Sequence, residues 1–185
     1  MLRVMPAVVA AGGELPALVE LDSTTLGAAA SEITFSGFSA DYTDLMVALF
    51  GRGDAATTAV NVMVRLNSDS GSNYDRQFLR GSAATVDAGE TLGGTSAIMA
   101  AIPAASASAG IASGMLLHLS DYTRTAWQKS IVGLDNHKRS TSSGDVWAVA
   151  RAAFWRSTSA ITSVTLSPDS GNFDADTTAT LWAWR

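Results

Sequence analysis

The stretch Val60-Asn61-Val62-Met63-Val64-Arg65-Leu66-Asn67 sets an aliphatic residue at every second position, against polar or longer side chains between them. Successive side chains of a β-strand point to opposite faces. This period of two therefore predicts a strand with Val60, Val62, Val64 and Leu66 on a buried side. The residues that follow, Asn67 to Asn73 (NSDSGSN), accept left-handed backbone geometry or bond their own main chain, and they predict a tight turn. Strand followed by turn recurs in both directions. Leu45, Val47 and Leu49 form one further strand, and Met115, Leu117 and Leu119 form another against Leu116, His118 and Ser120. Val164 and Leu166 alternate in the same way, and Leu181 and Ala183 stand opposite Thr180, Trp182 and Trp184. Trp147, Val149, Ala153 and Trp155 share one face of a long strand, with Arg151 on that face and Phe154 on the other. Arg151 there predicts a strand that is bulged or buried on both sides. Asp87 to Gly94, Ser140 to Asp145 and Ser167 to Asn172 read as turns. No strong helix of three turns and no internal repeat appears.

The pattern predicts an all-β chain: an antiparallel sandwich or jelly roll of about ten strands over residues 21–185, preceded by an extended arm over residues 1–20. Composition agrees. The 185 residues include 32 Ala, 22 Ser and 18 Thr, with 47% apolar and 16% charged residues. A disordered chain would be less apolar and more charged, and a helical one would carry more Leu, Glu and Lys. Twelve basic against seventeen acidic residues give a net charge of −5, so the drive toward nucleic acid or an anionic membrane is missing. Thr91 to Ser120 lacks Asp, Glu, Lys and Arg, but Pro103 and scattered Ser, Thr and Gly divide it into strand, turn and strand rather than a membrane span. The opening MLRVMPAVVAAGG has one basic residue, Arg3, and a short apolar run cut by Pro6, too little for an export signal. Without cysteine there is no disulfide, thiolate metal site or thiol nucleophile.

Little catalytic chemistry is in view, and no catalytic, cofactor or metal residues are assigned. His118 alternates with leucines and reads as a structural or interface histidine, while His137, beside Lys138 and Arg139, reads as part of a solvated loop. Asn67, Asp69 and Gly71 have the spacing of the first half of a calcium loop, and Asp169, Asp174 and Asp176 form a second acidic cluster. Neither has the closing bidentate Glu, so both read as Asx-rich turns. Arg52-Gly53-Asp54 matches an adhesion tripeptide, yet a turn after a strand accounts for it. Among the five tryptophans, Trp182 and Trp184 share a strand face. With Trp155 they are the candidate aromatics for stacking a carbohydrate or filling a subunit interface.

Two strings are recognisable. Arg65-Leu66-Asn67-Ser68-Asp69-Ser70-Gly71-Ser72-Asn73-Tyr74, and Trp155-Arg156-Ser157-Thr158-Ser159-Ala160-Ile161-Thr162-Ser163-Val164-Thr165-Leu166 leading through Gly171-Asn172-Phe173 to Thr180-Leu181, resemble a family of β-sandwich proteins of tailed bacteriophages and prophages. The likeness spans about Leu21 to Trp184. It departs at the end, where a glycine near Asp176 and a closing T-L-Y-G would be expected. The resemblance implies a non-enzymatic virion structural protein: a capsid decoration (cement) or head-appendage protein, with a tail-fibre or tail-tip carbohydrate-binding module as the alternative. It further implies self-association, often as a trimer, contact with other virion proteins such as the major capsid protein, possible contact with a host surface glycan, and a place on the particle surface after synthesis in the host cytoplasm. Beginning at Met1 with no fibre shaft or heptads before the sandwich, the chain is expected to stand alone, with residues 1–20 lying on neighbouring subunits. No cofactor, nucleic acid or membrane is expected.

Overall fold

In the computed structural model, residues 18–142 and 145–184 are described. Twelve strands, rather than about ten, follow one another: β1 (Leu18–Thr25), β2 (Ile33–Ser36), β3 (Asp44–Gly51), β4 (Ala59–Leu66), β5 (Tyr74–Ser82), β6 (Thr85–Gly94), β7 (Ala97–Pro103), β8 (Ser113–Leu119), β9 (Lys129–Lys138), β10 (Val146–Trp155), β11 (Ser163–Pro168) and β12 (Thr178–Trp184). They form two antiparallel sheets. The large one runs β1-β12-β3-β8-β9-β10-β5-β6 and the small one β2-β11-β4-β7. The arm expected over residues 1–20 lies outside the described residues as far as residue 17, and Leu18 to Glu20 already belong to β1.

The alternating residues do what their period dictates. Val62, Val64 and Leu66 of β4, Val164 and Leu166 of β11, Leu45 and Val47 of β3, Leu117 and Leu119 of β8 and Leu181 of β12 meet between the sheets with no exposed surface. Each such side chain contributes roughly 1.5–3 kcal/mol by leaving water. Gly133 of β9 admits Met99 from the facing sheet: a Cβ there would lie 2.6 Å from Leu117 and 3.4 Å from the Met99 methyl.

Three expectations are corrected. Asp87 to Gly94 is not a turn but most of β6, and the reversal falls at Ala83, whose φ is 51°. The glycines that suggested a turn have other work. Gly89 lies under the Phe78 ring, where a Cβ would come within 2.7 Å of it, and Gly93 takes a φ of 65° beside a register shift. Strand β10 is regular along its pairing with both neighbours and is not buried on both sides, since Ala148, Ala150, Ala152 and Phe154 are exposed. Arg151 is tolerated on its inner face because Asp135 of β9 meets it, with Nε donating to Oδ1 at 2.5 Å. His137 is not in a solvated loop either. It is buried on β9, opposite Trp147.

The two recognisable strings fold onto one another. Both carry the chain between sheets, β4 to β5 in one case and β10 to β11 in the other. Asn67, at φ 52°, accepts from the backbone N–H groups of Thr162 and Ser163 and donates to the Ala160 carbonyl at 2.7 Å. Asp69 accepts from Gly71 N, Asn73 Nδ2 and Trp155 Nε1, the last at 2.6 Å. These three donors, the indole first, hold its carboxyl below the usual range. The Tyr74 hydroxyl accepts from Leu66 N while its ring stacks on Trp155, and burial pushes it up to about 12. This polar clasp pins the two crossovers together.

Candidate functional site

Cross-strand partners in a sheet share a face, so residues pointing away from the core can be followed from strand to strand across the large sheet. One row reads Ser23, Thr180, Ala48, Leu116, Leu134, Ala150, Leu79, Ala88. The next reads Glu20, Trp182, Met46, His118, Val132, Ala152, Gln77, Glu90. The middle of the first row carries no charge and little polarity. Its large side chains stand in solvent, with Leu116, Leu134 and Leu79 at 45%, 64% and 56% exposure, beside Val132, Val86 and Phe154, all more than half exposed. A shallow trough of about 750 Å³ runs along Leu79, Val86, Leu116, Leu134 and Ala150. Apolar residues scattered singly over a surface are ordinary, whereas a contiguous apolar strip across neighbouring strands marks a face that meets something.

Of the three candidate aromatics, Trp182 and Trp184 lie on this outer face, Trp182 half-buried and Trp184 45% exposed. Trp155 does not join them: it faces the core at 3% exposure with its indole nitrogen held by Asp69. His118 is on the outer face too, with Nε2 2.9 Å from Asp44 Oδ2. Other candidates are engaged in holding loops. Arg52 donates to the carbonyls of Ala105, Ala107, Ser108 and Ile111, and both carboxylate oxygens of Asp54 accept from Asn172. The adhesion-like triplet is thus a pair of loop anchors. Gly171, at φ 66°, passes so close to Asp54 and Ala55 that a Cβ would meet them at 2.5 and 2.9 Å, and Phe173 is fully buried. Asp169 accepts from the backbone and side-chain nitrogens of Asn61, and Asp174 from Ala175 N. Among the described residues, no three His, Asp or Glu side chains are grouped to hold a metal, and no helix is long and apolar enough to cross a membrane.

The second distinctive region, which sequence reasoning missed, is a step where β7, the edge of the small sheet, lies across β8, β9 and β10. Beyond that edge the inner faces of β10 and β5 are only partly covered. They present Arg76, Phe78, Arg80, Trp147 and Arg151 around a cavity of about 300 Å³, with His137 and Arg139 at its side. Arg151 and Asp135 are both buried. Burial works to raise the Asp135 carboxyl, but the His137 and Arg151 side chains and the Ala101 N–H together hold it below the ordinary value. Arg80 forms a two-pronged bond to Asp87 at 2.8 and 2.5 Å while lying over the Trp147 ring, and Arg139 pairs with Asp145 and also covers that ring. The signal for this region was present in Arg76-Gln77-Phe78-Leu79-Arg80, which alternates arginine and aromatic on one side of a strand.

No family model matches this sequence, and no curated protein does. Among solved structures the chain is similar to an exo-inulinase from Aspergillus awamori, with a TM-score of 0.39 and 12% identity over 90% of this chain. The chain spans 29% of that enzyme's length, and at this level the likeness assigns no function.

Proposed function

We propose that this protein is a non-enzymatic structural component of a tailed-bacteriophage particle, a capsid decoration or head-appendage subunit that works by covering its large sheet with other subunits. The observation that carries it is the uncharged strip Ala48, Leu116, Leu134, Ala150, Leu79, Ala88, which crosses six adjacent strands in solvent. A strip without charge can be covered by another subunit without burying an unpaired charge. The two strings that resemble phage sandwich proteins support the same assignment. Both serve the clasp and the loop turns, so what they share with that family is architecture. The partners are further copies of this chain, a trimer being the form the resemblance implies, and a capsid protein beneath them. The test has two parts. Sedimentation should show a concentration-dependent oligomer that Leu134→Asp dissociates while its circular dichroism stays unchanged, and mass spectrometry of purified particles should find the protein. A monomer at high concentration, or particles without it, overturns the proposal.

A second role is favoured by the exposure of Trp184 beside Trp182: stacking of a sugar ring at the β12 end of the outer face, as in a tail-tip module. A glycan array whose hits disappear in Trp184→Ala supports it, and an array without hits removes it.

A further inference from the structure

The step beside β7 gathers four arginines, and three of them are matched to carboxylates. Arg151 is held by Asp135, Arg80 by Asp87 and Arg139 by Asp145. Arg76 has no hydrogen bond and no acidic partner among the described residues. Its neighbours explain why. On β10 it stands opposite Ala153 and on β6 opposite Thr91, so neither cross-strand partner offers an anion, and the charge that acts on it is the like charge of Arg151. Burial and that repulsion both disfavour its cation, and the surrounding residues do nothing to offset them. A second observation points the same way. The His137 ring is buried beside the cavity, and its Nδ1 has only a long approach of 3.9 Å to Asp135 Oδ2, which helps to hold that carboxyl low but falls short of a full hydrogen bond. Buried polar atoms are seldom left so, and where they are, a missing partner is the first explanation.

We propose that this step binds an oxyanion group, a carboxylate or its sulfate or phosphate equivalent, received by the guanidinium of Arg76. The planar fork of an arginine bonds such a group through two parallel N–H donors, and a low-dielectric cleft with a surplus of positive charge concentrates it there. About 300 Å³ accommodates the anion together with a body the size of one sugar ring, for which Phe78 and Ile98 supply apolar wall. The shared chemistry has two sources, a free small anion or an acidic sugar such as a uronate. This site is separate from the outer sheet face and does not rest on the virion assignment.

Isothermal titration of the intact protein with sulfate, acetate, glucuronate and glucose, followed in parallel by the indole N–H signals in NMR, tests it. Saturable binding of anions at millimolar levels, none of glucose, and about a tenfold or greater weakening in Arg76→Gln are expected. Arg76→Lys, which keeps the charge but not the fork, should retain part of the affinity, and the circular dichroism of both variants should match the parent. Tighter binding of glucuronate than of acetate assigns the acidic sugar, while equal binding assigns the small anion, and either upholds the site. Absence of saturable binding by every anion, or unchanged binding in Arg76→Gln, overturns it.

Discussion

Strand β10 carries an indole near each end of its inner face, and the fold treats the two in opposite ways. Trp155 is 3% exposed, stacks on Tyr74 and donates to Asp69, and around it every turn of the crossover is tied by a side chain. Trp147, eight residues earlier, stacks on His137 and lies beneath two guanidinium groups, and its buried Nε1 reaches no hydrogen bond of good geometry, only a weaker approach to the Asp145 carboxylate that it helps to hold low. Residue types are similar at the two ends: tryptophan, aspartate and a second ring. The difference is closure. A completed polar network fixes a single geometry, and an incomplete one keeps donors in reserve for a group from outside. The first end therefore reads as architecture and the second as a site.

Substitutions can break or sharpen that contrast. The largest effect should come from Arg151→Met, which leaves Asp135 charged and buried without its counter-ion. About 3–5 kcal/mol of stability should be lost in urea unfolding. Trp155→Phe removes the indole donor from the Asp69 carboxylate and should cost about 2–3 kcal/mol in the same measurement. Acid titration gives a third view. The Asp69 carboxyl is held low in the folded state, so its contribution is complete above the unfolded value near 4 and disappears as pH falls through the lower folded value. Asp69→Asn should accordingly flatten the loss of stability below about pH 4. Smallest of all, Trp147→Phe keeps a ring against His137 and weakens the contacts with Arg80 and Arg139, and should cost about 1 kcal/mol or less. Equal losses for the two tryptophans would erase the distinction between closed and open ends.

The period-two strands were legible because burial of one face leaves its mark at every second residue, as in Val60 to Leu66. The β6 strand was not, because its acids and glycines match turn chemistry locally, while its pairing with β5 is a tertiary fact. Arg151 was visible as a misfit, but Asp135 sits sixteen residues away on another strand, and nothing local links them. The same holds for the step: β5 supplies Arg76 and Arg80, β10 supplies Arg151 and the residue just past β9 is Arg139, and only sheet order brings the three segments together. Conversely, the strings that looked most distinctive proved to hold loops, since turn residues under tight geometric demand are easily recognised without carrying chemistry.

The position of β12 has a consequence in time. It lies between β1 and β3, so the earliest described strand finds its hydrogen-bonding neighbour only when the last one has been made. Until then β1 is unpaired and β3, held by β8 on one side, keeps its other edge open, and both can pair with the same strands of a sister chain. Pairings this distant along the chain close slowly, in milliseconds to seconds for sheets of this kind. A protein produced in many copies at once would thus pass through an interval in which self-recognition by strand exchange competes with completion of its own sheet. Any helper that delays release of the nascent chain would favour the latter.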